Sequence, residues 1–198
     1  MVRIALTGGI ATGKSTVLRM LQAREIPTID ADVLAREVVA PGTSGLEAVV
    51  ERFGTAVLDA TGALDRRALA ALVFSDPLAR QDLERIVHPA VYSAIQTWLA
   101  RLPHETPLAV ADIPLLFETG HQGDFDRVVV AACPPEEQLR RVMARDGVSD
   151  AEARTRLDAQ WPIATKVARA NHVIWTTGTR ADTERQVDEW LRVLKAEG

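Results

Sequence analysis

Apolar residues fall in two patterns along this chain: short unbroken runs, and longer stretches where they recur every third or fourth position. The runs Val2-Arg3-Ile4-Ala5-Leu6-Thr7, Leu108-Ala109-Val110-Ala111-Asp112, Arg127-Val128-Val129-Val130-Ala131-Ala132 and His172-Val173-Ile174-Trp175 are too short for helices and read as strands covered on both faces. Ile26-Pro27-Thr28-Ile29 reads as one more, ending at Asp30-Ala31-Asp32. Helical spacing covers Ser15 to Leu21 and Val33 to Val39, and then Thr43 to about Val87 with turn signals at Gly54 and Asp59-Ala60-Thr61-Gly62. Ser75-Asp76-Pro77 is a helix start, with a capping side chain and proline in the first turn. His88-Pro89 predicts a break before a further helix carrying Val91, Ile95, Trp98 and Leu99. Pro134-Pro135-Glu136-Glu137 opens another, with Leu139, Val142 and Met143 expected toward the core, and Ser149-Asp150-Ala151-Glu152 is a capping box. The last helix buries Val187, Trp190, Leu191 and Leu194. Five strands interleaved with helices predict an α/β fold, a parallel sheet with helices on both faces.

Between the first strand and its helix stands Gly8-Gly9-Ile10-Ala11-Thr12-Gly13-Lys14-Ser15, which spells the phosphate-binding P-loop, G-x-x-x-x-G-K-S, in its proper strand–loop–helix setting. The loop residues, with Gly9, Ala11, Thr12, Gly13 and Thr16 among them, are expected to turn backbone N–H groups toward phosphate oxygens. The helix start adds partial positive charge. Lys14 then reaches the β- and γ-phosphates, and the Ser15 hydroxyl ligates Mg²⁺. The chain is therefore read as handling a nucleoside triphosphate on a three-layer P-loop core. The stretch 43–102 is too long for a simple crossover and reads as a helical acceptor-binding insertion. Residues 136–165, short, Arg-rich and helical, read as a lid, leaving the core at about 1–42, 103–135 and 166–198.

Composition changes this picture little. The 198 residues are 47% hydrophobic and carry a formal charge of −4, which gives no general drive toward nucleic acid or acidic membranes. Cys133 is the single cysteine, so no intrachain disulfide or cysteine-based metal cluster forms. Its place at the end of an apolar strand reads as core packing. No apolar run approaches membrane-spanning length, and the chain enters its first strand at once, so a cytoplasmic protein is expected.

Chemistry then rests on a few charged residues. Asp32 follows the second strand and suits the general base that a phosphoryl acceptor needs. Capping the next helix is the competing role for it, open equally to Asp30. Asp112 ends an apolar strand, as a Walker-B aspartate does, and is a candidate Mg²⁺ ligand. Arg141 and Arg145 share one helix face and are candidates for neutralising the transferred phosphoryl group; an exposed, solvated face gives the same spacing. Glu118 reads equally as a surface residue, and His88, fixed before a proline, is the one histidine held open as a site residue.

The motifs together resemble the dephospho-CoA kinase family over almost the whole chain. The matching pieces run in order from Leu6-Thr7-Gly8-Gly9-Ile10 and Gly13-Lys14-Ser15-Thr16 to Ile29-Asp30-Ala31-Asp32 and Ala35-Arg36. Pro41-Gly42, Arg66-Arg67-Ala68-Leu69, His88-Pro89 and Pro114-Leu115-Leu116-Phe117-Glu118 come next, and then Gln138-Leu139-Arg140-Arg141, Arg145-Asp146 and Ala159-Gln160. The resemblance implies a nucleoside-monophosphate-kinase-like fold and transfer of the ATP γ-phosphate to the ribose 3′-hydroxyl of dephospho-CoA with Mg²⁺. It makes Asp32 the general base and Lys14, Arg141 and Arg145 the charge stabilisers and nucleotide contacts. It also implies acceptor-site roles for Arg36, His88, Leu115, Phe117 and Glu118, with no nucleic acid, membrane or obligate protein partner. Ala11 departs from the family's frequent glycine, and Asn171-His172 from its usual Ala-Asp. Rival readings are a kinase of the same fold with another acceptor, a nucleotide-binding relic without turnover, and a GTP switch. The Asn-Lys-x-Asp element of the last is absent, since Asn171 is the only asparagine and His172 follows it.

Overall fold

The computed structural model describes residues 1–197. Its sheet consists of β1 (Val2–Gly8), β2 (Thr28–Asp30), β3 (Leu108–Asp112), β4 (Arg127–Ala132) and β5 (His172–Trp175), in the order β2-β3-β1-β4-β5. β1 pairs in parallel with β3 and β4, and β4 with β5. Parallel neighbours demand crossovers, which α1 (Lys14–Gln22), α6 (Pro135–Asp146), α7 (Asp150–Asp158) and α8 (Ile163–Val167) supply within this part of the chain, with α9 (Arg180–Glu197) closing it. The central position of β1 matters for the site. Leu6 lies opposite Asp112 and Gly8 opposite Ala131, so three strand ends meet where the P-loop begins. α1 and α9 cover the sheet, packing Val17, Leu21, Val187 and Trp190 against Ile4, Leu6, Val110, Val129 and Ile174.

The chain divides into two compact units. One is Met1–Ile29 together with the chain from Pro103 onward; the other is Asp30–Leu102. The second holds α2 (Ala31–Glu37), α3 (Ser44–Phe53), α4 (Arg66–Ser75) and α5 (Pro77–Arg101) around a core of Val39, Val49, Val57 and Leu69. No helix among the described residues is long and apolar enough to cross a membrane.

Three local expectations are corrected. α5 runs straight through His88-Pro89, where a break was predicted. Pro89 removes one backbone bond, but Val91, Tyr92, Ile95 and Leu99 are buried beyond it and hold the second half in line. β2 begins at Thr28 rather than Ile26, because Pro27 has no N–H to give the ladder; its carbonyl still accepts from the Val110 N–H at 2.9 Å. On α6 the fully buried residues are Gln138 and Val142, while Leu139 and Met143 are only half-buried. The capping box at Ser149 and Glu152 and the Asp76-Pro77 helix start form as read.

Candidate active site

The P-loop is held by its carbonyls, four of them bonded from outside the loop and one from within it. Gly8 O accepts from Lys166 Nζ at 3.3 Å, and Gly9 O from the Thr12 hydroxyl at 2.8 Å. Ile10 O accepts from Gln138 Nε2 at 2.8 Å, Ala11 O from Arg141 Nη1 at 3.4 Å, and Thr12 O from the Thr176 hydroxyl at 2.6 Å. With these five carbonyls occupied, the N–H groups at the start of α1 carry the loop's positive character, and Gly13 at the helix start receives no side-chain cap. Gly13 has φ 82°, and a Cβ there would meet Thr176 at 3.1 Å. Ala11 sits at φ 58°, a left-handed backbone that costs an L-residue about 1–2 kcal/mol and is natural for glycine. That explains why the position favours glycine and what alanine sacrifices there.

Lys14 and Asp112 are brought together. Nζ lies 2.5 Å from Oδ1, with the carboxylate buried, so each neutralises the other at the meeting of β1 and β3. The Ser15 side chain is exposed on the first turn of α1, and Thr16 accepts from Arg19 at 3.3 Å. Among the described residues no group of three or more His, Cys, Asp or Glu is placed to hold a metal on its own.

The two arginines of α6 part company. Arg141 lies against the P-loop: besides Ala11 O, its guanidinium donates to the Thr176 hydroxyl at 3.0 Å and the Thr176 carbonyl at 2.6 Å, and Nε pairs with Glu137 at 2.6 Å. Arg140 grips the same Glu137, and the two guanidinium groups hold that carboxyl down at about 2. Arg145 is exposed and pairs with Asp146, which also takes Arg156; these bonds keep Asp146 below the usual carboxylate range. Cys133 is fully buried and burial raises its thiol, in keeping with a packing role.

Beyond β3 the chain turns through Pro114 into the acceptor-motif residues. Leu115 is partly exposed, while Phe117 is buried and stacks on Trp161 with ring centres 6.2 Å apart; Arg169 covers the Trp161 ring at 4.8 Å. Glu118 is no surface residue. Its Oε1 accepts from the Trp161 N–H at 2.9 Å and pairs with Lys166 at 2.8 Å, while Oε2 is buried without a hydrogen-bond partner. Lys166 is fully buried and also donates to Pro114 O at 3.1 Å, so its three ammonium hydrogens meet Glu118, Pro114 O and Gly8 O. Burial pushes its pKa down, against the opposing pull of Glu118. Sequence reasoning passed over this residue. The available signal was its place three residues after Ile163, on the buried face of α8.

The remaining predicted residues belong to the second unit. Asp30 caps α2, accepting from the Asp32 N–H at 2.8 Å and the Val33 N–H at 3.4 Å. The cap is thus Asp30, and the exposed Asp32 carboxylate is released from that duty. Arg36 is exposed one turn further on, with its carbonyl accepting from Arg66 at 3.2 Å. His88 is half-buried within α5. In the first unit Asn171 accepts from the Val128 N–H at 2.7 Å, which ties the starts of β4 and β5 together and accounts for an asparagine there in structural terms.

Comparison with known proteins agrees with this geometry. The family model described as dephospho-CoA kinase matches residues 2–182. A dephospho-CoA kinase of Anaeromyxobacter dehalogenans is 48% identical over 97% of this chain and 92% of its own. Among solved structures, one from Thermus thermophilus is 42% identical with TM-score 0.82, covering 98% of this chain and 97% of that one. A dephospho-CoA kinase from Campylobacter jejuni is 29% identical with TM-score 0.77, covering 99% and 98%.

Proposed function

The chain belongs to the dephospho-CoA kinase family, whose reaction moves the ATP γ-phosphate to the ribose 3′-hydroxyl of dephospho-CoA, and on that premise we propose how its own residues perform the transfer. Asp32 takes the proton of the attacking hydroxyl. The observation that carries this role is the cap at α2: Asp30 satisfies the helix start, so the Asp32 carboxylate is exposed and uncommitted two residues past β2. The loop N–H groups and Lys14 bind the triphosphate, with Lys14 exchanging Asp112 for phosphate oxygens. Arg141, already against the P-loop, orients the nucleotide and offsets charge on it. Arg145 joins only after leaving Asp146.

The residues suit Mg²⁺. Ser15 Oγ and Asp112 would hold it, and so small a protein donor set fits an ion that completes its shell with phosphate oxygens and water. Bound there, it would screen the charge of the phosphate chain. Arg36, His88, Leu115, Phe117 and Glu118 shape the acceptor side, with Glu118 acting from its buried pair with Lys166. We assign acceptor binding to the helical insertion 43–102 and water exclusion to a lid at 136–165. Both substrates are small molecules, so this reading uses no nucleic acid, membrane or obligate protein partner, and it assigns the enzyme to the cytoplasm.

Asp32→Asn is expected to leave ATP affinity nearly unchanged and to lower kcat by roughly 10²-fold or more, the usual scale for losing a general base. Steady-state kinetics with ATP titration calorimetry checks this. Near-normal turnover would remove Asp32 from the mechanism.

A further inference from the structure

Five carbonyls of the P-loop have donors, but one residue is gripped on both of its backbone groups by side chains from elsewhere in the first unit. Ile10 donates its N–H to Gln160 Oε1 at 2.8 Å and accepts at its carbonyl from Gln138 Nε2 at 2.8 Å. Gln138 comes from α6 and is buried; Gln160 stands just past the end of α7 and is half-buried. The fit is tight. A Cβ on Gly9 would lie 2.5 Å from Gln138 Nε2, so a larger residue there would push the amide off Ile10.

We propose that Gln138 and Gln160 form a two-sided clamp on Ile10 and are positioning residues for phosphoryl transfer. Their polarities are opposite and fixed by the backbone: position 160 must accept and position 138 must donate. Both bonds are part-buried, so losing either partner leaves a backbone group that water satisfies only incompletely, and the pair holds the front of the loop in one orientation while ATP binds along the rest. The clamp also links elements. Residue 161, next to Gln160, donates its backbone N–H to Glu118, so two hydrogen bonds fasten the turn after α7 to the P-loop and to the segment beyond β3. Neither glutamine touches the reacting atoms; both act through Ile10.

The proposal rests on the P-loop being the ATP site, and Lys14→Ala serves as the control for that reading. Gln138→Met and Gln160→Met keep side-chain length and remove the hydrogen bonds. Each is expected to lower kcat roughly tenfold at saturating substrates, since small misplacements of reacting groups are expensive, while the ATP KM stays within about threefold. The double variant falls no further than the worse single one, because either loss opens the clamp. Gln160→Glu keeps an acceptor, so it recovers kcat over Gln160→Met while its added negative charge raises the ATP KM. Gln138→Glu turns a carboxylate on a carbonyl and falls below Gln138→Met. Thermal melting of each variant separates these effects from unfolding. If both Met variants keep kcat within twofold of the parent while Lys14→Ala is inactive, the clamp is overturned and the ATP site stands. If Lys14→Ala keeps full activity, the site reading itself fails.

Discussion

Lys14 and Lys166 show how differently two lysines are legible. Lys14 sits in a motif whose spacing states its chemistry, and the structure adds the detail that its free-enzyme partner is Asp112 at 2.5 Å. Lys166 sits in no motif, and only its complete burial against Glu118, Gly8 O and Pro114 O reveals that it joins the P-loop to the segment after β3. A long-range ion pair leaves no local trace, which is why Glu118 read equally well as a surface residue. Glu137 gives a sharper test at this scale. Arg140 and Arg141 lower its carboxyl from 4.5 to about 2, so the native state favours its charged form. The stabilisation is complete above about 4.5 and is lost as pH falls through about 2. Glu137→Gln should therefore melt below the parent by a constant margin above that range, and the margin should close on acidification. A margin that does not change with pH would mean that the charged pairing contributes nothing.

Elements were legible where the signal is local. β3, β4 and β5 have the bounds that their apolar runs suggest, and β3 and all of β4 beyond Arg127 are buried as such runs require, while β5 at the sheet edge is only partly so. The capping box at Ser149 is equally local. The errors came where tertiary packing overrides a local rule. Pro89 should stop a helix, yet the buried apolar residues from Val91 to Leu99 anchor the turns beyond it, and the whole of α5 stays continuous. Gln138 stood in the sequence only as part of a resemblance motif, and its role was not legible for the same reason: its partner is a loop carbonyl 128 residues away. Pro89→Ala restores the missing backbone donor and is expected to raise stability, by up to about 3 kcal/mol, in urea or thermal unfolding. Unchanged or lower stability would mean that the surroundings already relieve the proline.

At the scale of the whole molecule, the sequence supported a parallel five-stranded sheet, but the strand order β2-β3-β1-β4-β5 could not be read from it. Order depends on which strands pair, and β1 pairs with both β3 and β4, partners that lie far from it in the chain and leave no local trace. The consequence is functional, since this order sets the P-loop beside Asp112. The fold alone is shared by kinases of many acceptors, so acceptor identity rests on the family and on the site. The most direct test is ADP release from Mg-ATP with dephospho-CoA as acceptor, run beside adenosine, AMP, shikimate, gluconate and no acceptor. Strong turnover with dephospho-CoA alone, giving a product heavier by one phosphoryl group, is the predicted result. Equal or greater turnover with another acceptor, or none with dephospho-CoA while ATP still binds, would contradict it.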